Sequence, residues 1–334
     1  MPLEGLRYDV TPVGMHYLLI HFDVPEADAS SWRLEVGGRV RRPTALSMDE
    51  IERRPVVTMP VTMECAGNGR ALLSPRPISQ PWLSEAIGTA EWTGTPVAPI
   101  LEEAGLEDDA VELVFAGADR GVQGGVEHDY ERSLSVADAM RGEVLLAYAV
   151  NGQPLPPQHG FPLRLIVPGW YGMTSVKWLT RITAVAEPFD WFQMDAYRLR
   201  QRSDEPGVPV TRMQPRALMV PPGMPEFLTR DRIVEPGLHR IGGRAWSGWG
   251  PVTRVEVAVD GGPWREASLG AAAGPHAWTS WSFPWDAEPG EHVLACRATD
   301  AEGNTQPDEQ PWNHHGFQNN MVQRVSVTVR RGTG

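Results

Sequence analysis

From about residue 231 onward the chain is written in short runs of alternating apolar and polar residues separated by turn signals, a two-residue period that points to antiparallel sheet. "TRVEVAVDGGPW" puts Val255, Val257 and Val259 on one face and ends in an Asp-Gly-Gly hairpin signal, and "EHVLACRATDAEGN" and "QRVSVTVRR" repeat the scheme. Strands at this spacing predict an immunoglobulin-like β-sandwich over residues 231–331. Its tryptophans Trp246, Trp249, Trp264, Trp278, Trp281 and Trp285 are assigned to core and interface. A sandwich appended to a larger domain is suited to dimerisation or binding.

The preceding residues have a different texture. "SWRLEVGG" alternates and stops at a glycine turn, "SMDEIERR" opens on a serine cap, "TPVAPILEEAGL" reads as a short helix ended by Gly105, and "FPLRLIVPG" reads as a buried strand. The pattern predicts an α+β domain over residues 1–205, without the regular strand-helix alternation of a doubly wound sheet. Between the two, residues 206–230 are dense in proline and aperiodic, which predicts an extended connector wrapped around the first domain.

Composition removes several functions. A net charge of −12 repels a phosphate backbone, and no basic run interleaved with aromatics offsets it, so nucleic acid is not an expected partner. The longest apolar runs fall well short of the roughly 20 residues of a membrane span, and the N-terminus has no leader pattern. As given the chain reads as cytoplasmic, or periplasmic if a signal peptide has been removed; the compartment stays open.

Two cysteines cannot form a disulfide framework. Cys296 lies in an alternating strand and is expected in the core. Cys65 sits in "TMECAGNGR", where glycines allow backbone to approach a bound group. Arg70 follows at five residues, one short of the spacing of a phosphatase anion loop, and no neighbouring cysteine or histidine pair completes a zinc site. A thiol hydrolase would need a histidine base that no spacing singles out. A lone thiolate bound to a metal whose other ligands come from a cofactor fits the pattern, with Arg70 offering a fork to an anion. Lys177 is the only lysine among thirty cationic residues, which suggests a place where a compact ammonium fits and a planar fork does not.

"TMECAGNGR" resembles the cysteine motif of the sulfite oxidase family of molybdenum enzymes. The resemblance extends in order along the chain, through "HFDVPEADASSWRLEVGG", "IGTAEWTGTPVAPIL" (the family's post-cysteine helix), "LLAYAVNGQPLPPQHGFPLRLIVPGWYGMTSVKWL" and "RATDAEGNTQPDEQPWN" of the sandwich. It implies a mixed α/β molybdopterin-binding domain followed by the sandwich. It also implies oxygen-atom transfer at a molybdenum oxo centre held by Cys65 and by the dithiolene of one molybdopterin. By the same resemblance His21, Cys65, Asp119, His159, Arg164, Ser175 and Lys177 anchor the cofactor, while Tyr197, Trp82 and Arg70 stand around the substrate. A homodimer is implied as well.

The substrate positions depart from the family in two places. Its Arg-Asn-His triplet reads Leu19-Ile20-His21, and the arginine that its second domain contributes becomes His315. A doubly charged oxyanion needs compensating cations, so the expected substrate is less anionic than sulfite, such as an organic sulfur or nitrogen compound or its oxide. His315 would add charge only near or below neutral pH. Nitrate or S-oxide reduction is the alternative direction, and a cofactor-free binding protein on the same scaffold is the competing reading; retention of Cys65, Tyr197 and the anchoring set weighs against the latter. No C-x-x-C-H haem motif, cysteine cluster for iron–sulfur or G-x-G-x-x-G nucleotide turn is found, so electrons are expected to pass to or from an external carrier.

Overall fold

The run at Arg33–Gly38 alternates exposed and buried side chains, as half-buried sheet requires, and it lies inside a five-stranded sheet. The order is Thr44–Ser47, Arg33–Gly38, Leu179–Val185, Glu112–Gln123, Val126–Ser135. Arg33–Gly38 runs parallel to Leu179–Val185 and the other pairs are antiparallel, a mixed sheet consistent with the α+β expectation. The computed structural model describes residues 1–331.

Two short helices close one face of this sheet, and both are bounded by chemistry visible in the sequence. Ser47 caps Met48–Glu52 in a reciprocal capping box with Glu50. Gly105, at φ 70°, ends Val97–Ala104 with a left-handed cap. Their apolar sides, with Ile51, Val97, Ile100 and Leu101, pack on Leu34, Leu113, Phe115 and Ile182. The segment expected as one post-cysteine helix is divided: Ile87–Pro96 is a strand and the helix starts only at Val97. Trp92, Thr93 and Thr95 favour extended backbone.

Ile87–Pro96 belongs to a second sheet that presents the site. It pairs with Val57–Glu64 on one side and Leu145–Val150 on the other, and the latter also pairs with Gln153–Pro154 and Arg164–Ile166. Cys65 therefore sits at the end of one strand and Arg164 at the start of another in the same sheet.

The C-terminal domain is a sandwich of a four-stranded and a six-stranded sheet. Val255, Val257, Leu294, Cys296, Val325 and Val327 face Ile241, Trp281, Phe283 and Trp285 across the core. Cys296 is fully buried there, as expected.

The connector differs from expectation. Arg216–Met219 pairs with Gly237–Trp246 and Met224–Pro225 pairs with Arg232–Val234, so the sandwich takes in residues placed by sequence in the 206–230 linker. The reason is two-sided burial: Ala217 and Met219 enter the sandwich core, whereas Leu218 enters a separate cluster with Trp246, Trp278, Tyr171 and Ile87 between the domains. A strand buried on both faces has no alternation to read. Among the described residues no helix is long and apolar enough to cross a membrane.

Candidate active site

Glu64 is the last residue of its strand, and the chain then turns sharply. Cys65 N donates to Ala86 O, Asn68 N to Cys65 O, and Arg70 N to Gly67 O. Two glycines make the turn possible. Gly69 adopts φ 89°, and a Cβ on Gly67 would come 2.5 Å from Arg70 Nη2, so only glycine lets the guanidinium fold back beside the thiol. Cys65 is 7% exposed; burial raises its pKa, while the Gly67 N–H and the Arg70 charge oppose the rise.

Cys65 lies between two recesses. The inner one, of about 710 Å³, is lined by every residue of the cofactor set: His21, Cys65, Asp119, His159, Arg164, Ser175 and Lys177. The outer one, of about 1120 Å³, is lined by Arg70, Leu19, Ile20 and His315. Cys65, Leu19, His21 and Tyr197 border both. Trp82 lines neither, and its indole Nε1 is buried without a hydrogen-bond partner.

The inner recess is charged and incompletely satisfied. Arg164 donates to His159 O at 2.9 Å and Ser175 O at 3.1 Å and stacks over Trp92, leaving its buried Nε unpaired. Lys177 Nζ donates to Leu19 O at 2.9 Å and Gln158 O at 3.2 Å. Burial lowers both cations, Arg164 to about 10 and Lys177 to about 7, and for Lys177 repulsion by Arg164 is the next cause. Asp119, 3% exposed, is raised by burial to about 7 and has an unpaired Oδ1. Burial takes His159 down to about 3, leaving a neutral imidazole. Two mutually repelling cations, an orphaned carboxylate oxygen and an orphaned guanidinium N–H match a polar, anionic group such as a pterin phosphate. Among the described residues no cluster of three or more His, Cys, Asp or Glu could hold a metal by itself, and Cys65 is the one thiol among the residues that line this recess.

The outer recess is poor in charge. Arg70 is 4% exposed, and donates from Nε to His315 O at 2.6 Å and from Nη1 to Gln80 O at 3.1 Å. His315 stands against His314 and Phe317, and burial lowers it to about 4, so the charge expected near neutral pH is absent there. Tyr197 stacks on Phe317 at 5.1 Å, and burial raises its hydroxyl to about 12. His21 Nε2 lies 2.7 Å from Gln123 Oε1 and 3.0 Å from Gln193 Nε2.

Sequence reasoning did not single out His16, Tyr17, Met63, Tyr130 and Met173 of the inner recess, or Gln80, Gln123, Gln193 and Phe317 of the outer one. His16 and Tyr17 precede Leu19-Ile20-His21 closely enough for proximity to flag them; the amides carry no local signal.

Comparison with known proteins identifies both domains. Residues 21–193 match the oxidoreductase molybdopterin binding domain, and residues 210–330 match the Mo-co oxidoreductase dimerisation domain. Mitochondrial sulfite oxidase of Mus musculus is 36% identical over 346 residues, covering 96% of this chain and 62% of that protein. An NADH nitrate reductase of Brassica napus is 33% identical over 363 residues, covering 98% of this chain and 40% of that protein. The sulfane dehydrogenase SoxCD of Paracoccus pantotrophus superposes with a TM-score of 0.85 at 27% identity, covering 99% of this chain and 86% of that one. The chain thus spans less than two thirds of both curated relatives.

Proposed function

Because the chain belongs to the sulfite oxidase family of molybdopterin oxidoreductases, we propose that it transfers an oxygen atom to or from a substrate less anionic than sulfite. A bound molybdenum cofactor supplies the two-electron redox chemistry, and we assign it as molybdenum with one molybdopterin. Cys65 would ligate the metal; Arg164 and Lys177 would hold the anionic end of the pterin, with His21, Asp119, His159 and Ser175 as its polar partners.

The observation that carries the substrate reading is the wall of the outer recess. It offers one guanidinium with two of its nitrogens already committed to backbone carbonyls, a neutral imidazole, and apolar Leu19 and Ile20. A dianion entering here would lose water without gaining matching charge, a deficit of about 2 kcal/mol or more for each absent charged hydrogen bond. Arg70 and the carboxamides of Gln80, Gln123 and Gln193 suit a monoanion or a neutral oxide. Nitrate or an S-oxide is therefore the second reading, with oxygen leaving the substrate. Tyr197, a protonated phenol at working pH, can donate a hydrogen bond to the transferring oxygen. Electrons would pass through an external carrier, and a homodimer would form through the sandwich domain.

The test is a substrate profile on protein loaded with molybdate: sulfite and a thioether with a dye acceptor, nitrate and a sulfoxide with a reduced dye donor. The reading expects kcat/KM for sulfite to be the lower by about 30-fold or more. Sulfite as the best substrate would sink it.

A further inference from the structure

The turn that carries Cys65 is held from the other domain as well as from its own. Arg216, on the first strand of the sandwich and 2% exposed, donates from Nη1 to Glu64 Oε1 at 2.8 Å, to Asn319 O at 2.9 Å and to Asn68 O at 3.4 Å. Trp246 Nε1 takes the other carboxylate oxygen of Glu64 at 2.9 Å. Asn319 Nδ2 donates to Gly69 O at 2.6 Å, and Gln318 N donates to Ala66 O at 2.8 Å. Glu64, Asn68 and Asn319 are all buried, so these bonds form away from water. The residue before the thiol, the residue after it, and the turn as far as Gly69 are thus fixed by groups of the C-terminal domain.

We propose that Arg216 and Asn319 are positioning residues for the Cys65 thiol, so that the sandwich is a working part of the metal-ligand site as well as a pairing module. The proposal rests on Cys65 being the metal ligand for its consequence, and on the hydrogen bonds alone for its mechanism. A thiolate ligand transmits the direction of its lone pairs to the metal, and that direction depends on how firmly the turn is held. Arg216 does this through an ion pair buried on both sides, and its Nη1 also reaches backbone carbonyls of two separate segments, one of its two N–H groups being shared with the longer bond to Asn68 O.

The experiment compares the reaction of the two thiols with methyl methanethiosulfonate, located by peptide mass spectrometry, on full-length protein purified without cofactor. Cys296 sits in the sandwich core and reports general loosening of that domain. Asn319→Ala removes one clamp without stranding a charge. The double variant Glu64→Gln, Arg216→Met removes the ion pair whole, since Arg216→Met alone would leave a carboxylate buried. Val257→Ala, in the strand register opposite Cys296, is the control for core loosening.

Both clamp variants are expected to speed modification of Cys65 by about tenfold with Cys296 unchanged, and Val257→Ala to do the reverse. In loaded protein matched for molybdenum content, the clamp variants are expected to shift the Mo(V) electron paramagnetic resonance signal. An unchanged Cys65 rate, an equal rise at Cys296, or an unshifted Mo(V) signal overturns the proposal. If wild-type protein binds no molybdenum, the cofactor reading fails, and the thiol rates alone decide the clamp.

Discussion

Arg70 Nε donates to the main-chain carbonyl of His315 at 2.6 Å, so this cation is anchored by the backbone, and not the side chain, of His315. The side chain at 315 can therefore be changed without releasing Arg70. His315→Arg and Leu19→Arg each add a cation to a recess whose anchor is intact. Each is expected to raise kcat/KM for sulfite by about 30-fold, the worth of one charge-assisted hydrogen bond. Steady-state assays with both variants and the double variant check this; no gain in either would remove the charge argument for the substrate.

Cys65→Ala is expected to abolish molybdenum binding and leave the fold intact. The side chain is small, and the turn is held by main-chain bonds from Ala86, Gly67 and Gln318 that the substitution does not touch. Elemental analysis beside thermal unfolding separates the two effects. Molybdenum retained at the wild-type ratio would show that the ligand lies elsewhere.

Lys177→Met is expected to lower cofactor content by about tenfold or more, and Lys177→Arg is expected not to restore it. Lys177 Nζ is seated between Leu19 O and Gln158 O at 2.9 and 3.2 Å, a spot that suits a compact ammonium rather than the wider planar fork of arginine. Fluorescence of the oxidised pterin released on denaturation measures the content. Full occupancy in the arginine variant would contradict the steric account.

The stability of the cofactor-free chain is expected to fall on acidification. His16 is fully buried, and burial takes it from an ordinary value of 6.5 to about 4. Between those values the unfolded chain binds a proton that the folded chain refuses, so its contribution is whole above pH 6.5 and is lost as pH falls toward 4. From pH 7 to pH 5 this amounts to about 2 kcal/mol. His159 and His315, also lowered, act with the same sign, whereas Asp119, raised to about 7, acts with the opposite one. Urea unfolding at pH 5 and pH 7 should therefore show a smaller pH dependence in His16→Gln than in wild type, by about that amount. Equal slopes would mean that His16 titrates normally in the fold.

The sandwich was open to sequence reading because its strands are buried on one face, so that Val255 and Val257 announce themselves by period. Arg216–Met219 was hidden for the opposite reason, since Leu218 serves the domain interface while its neighbours serve the sandwich core. The residues that the resemblance assigns to the cofactor, scattered from His21 to Lys177, could be gathered only by that resemblance; the structure sets them around one recess. What resemblance left out are contacts made across the domains: Glu64 reads as an ordinary strand-end carboxylate until Arg216 and Trp246 are seen to enclose it. Likewise Gln123 and Gln193 become neighbours of His21 only once Val126–Ser135 folds back on Glu112–Gln123 and the short helix Phe192–Ala196 is laid against it.

Leu19 divides its atoms between two tasks: its carbonyl accepts from Lys177, and its side chain forms part of the outer wall. Any residue at this position presents the same carbonyl, whatever its side chain. A substitution of Leu19 therefore reshapes the outer wall while the carbonyl that seats Lys177 stays where it is.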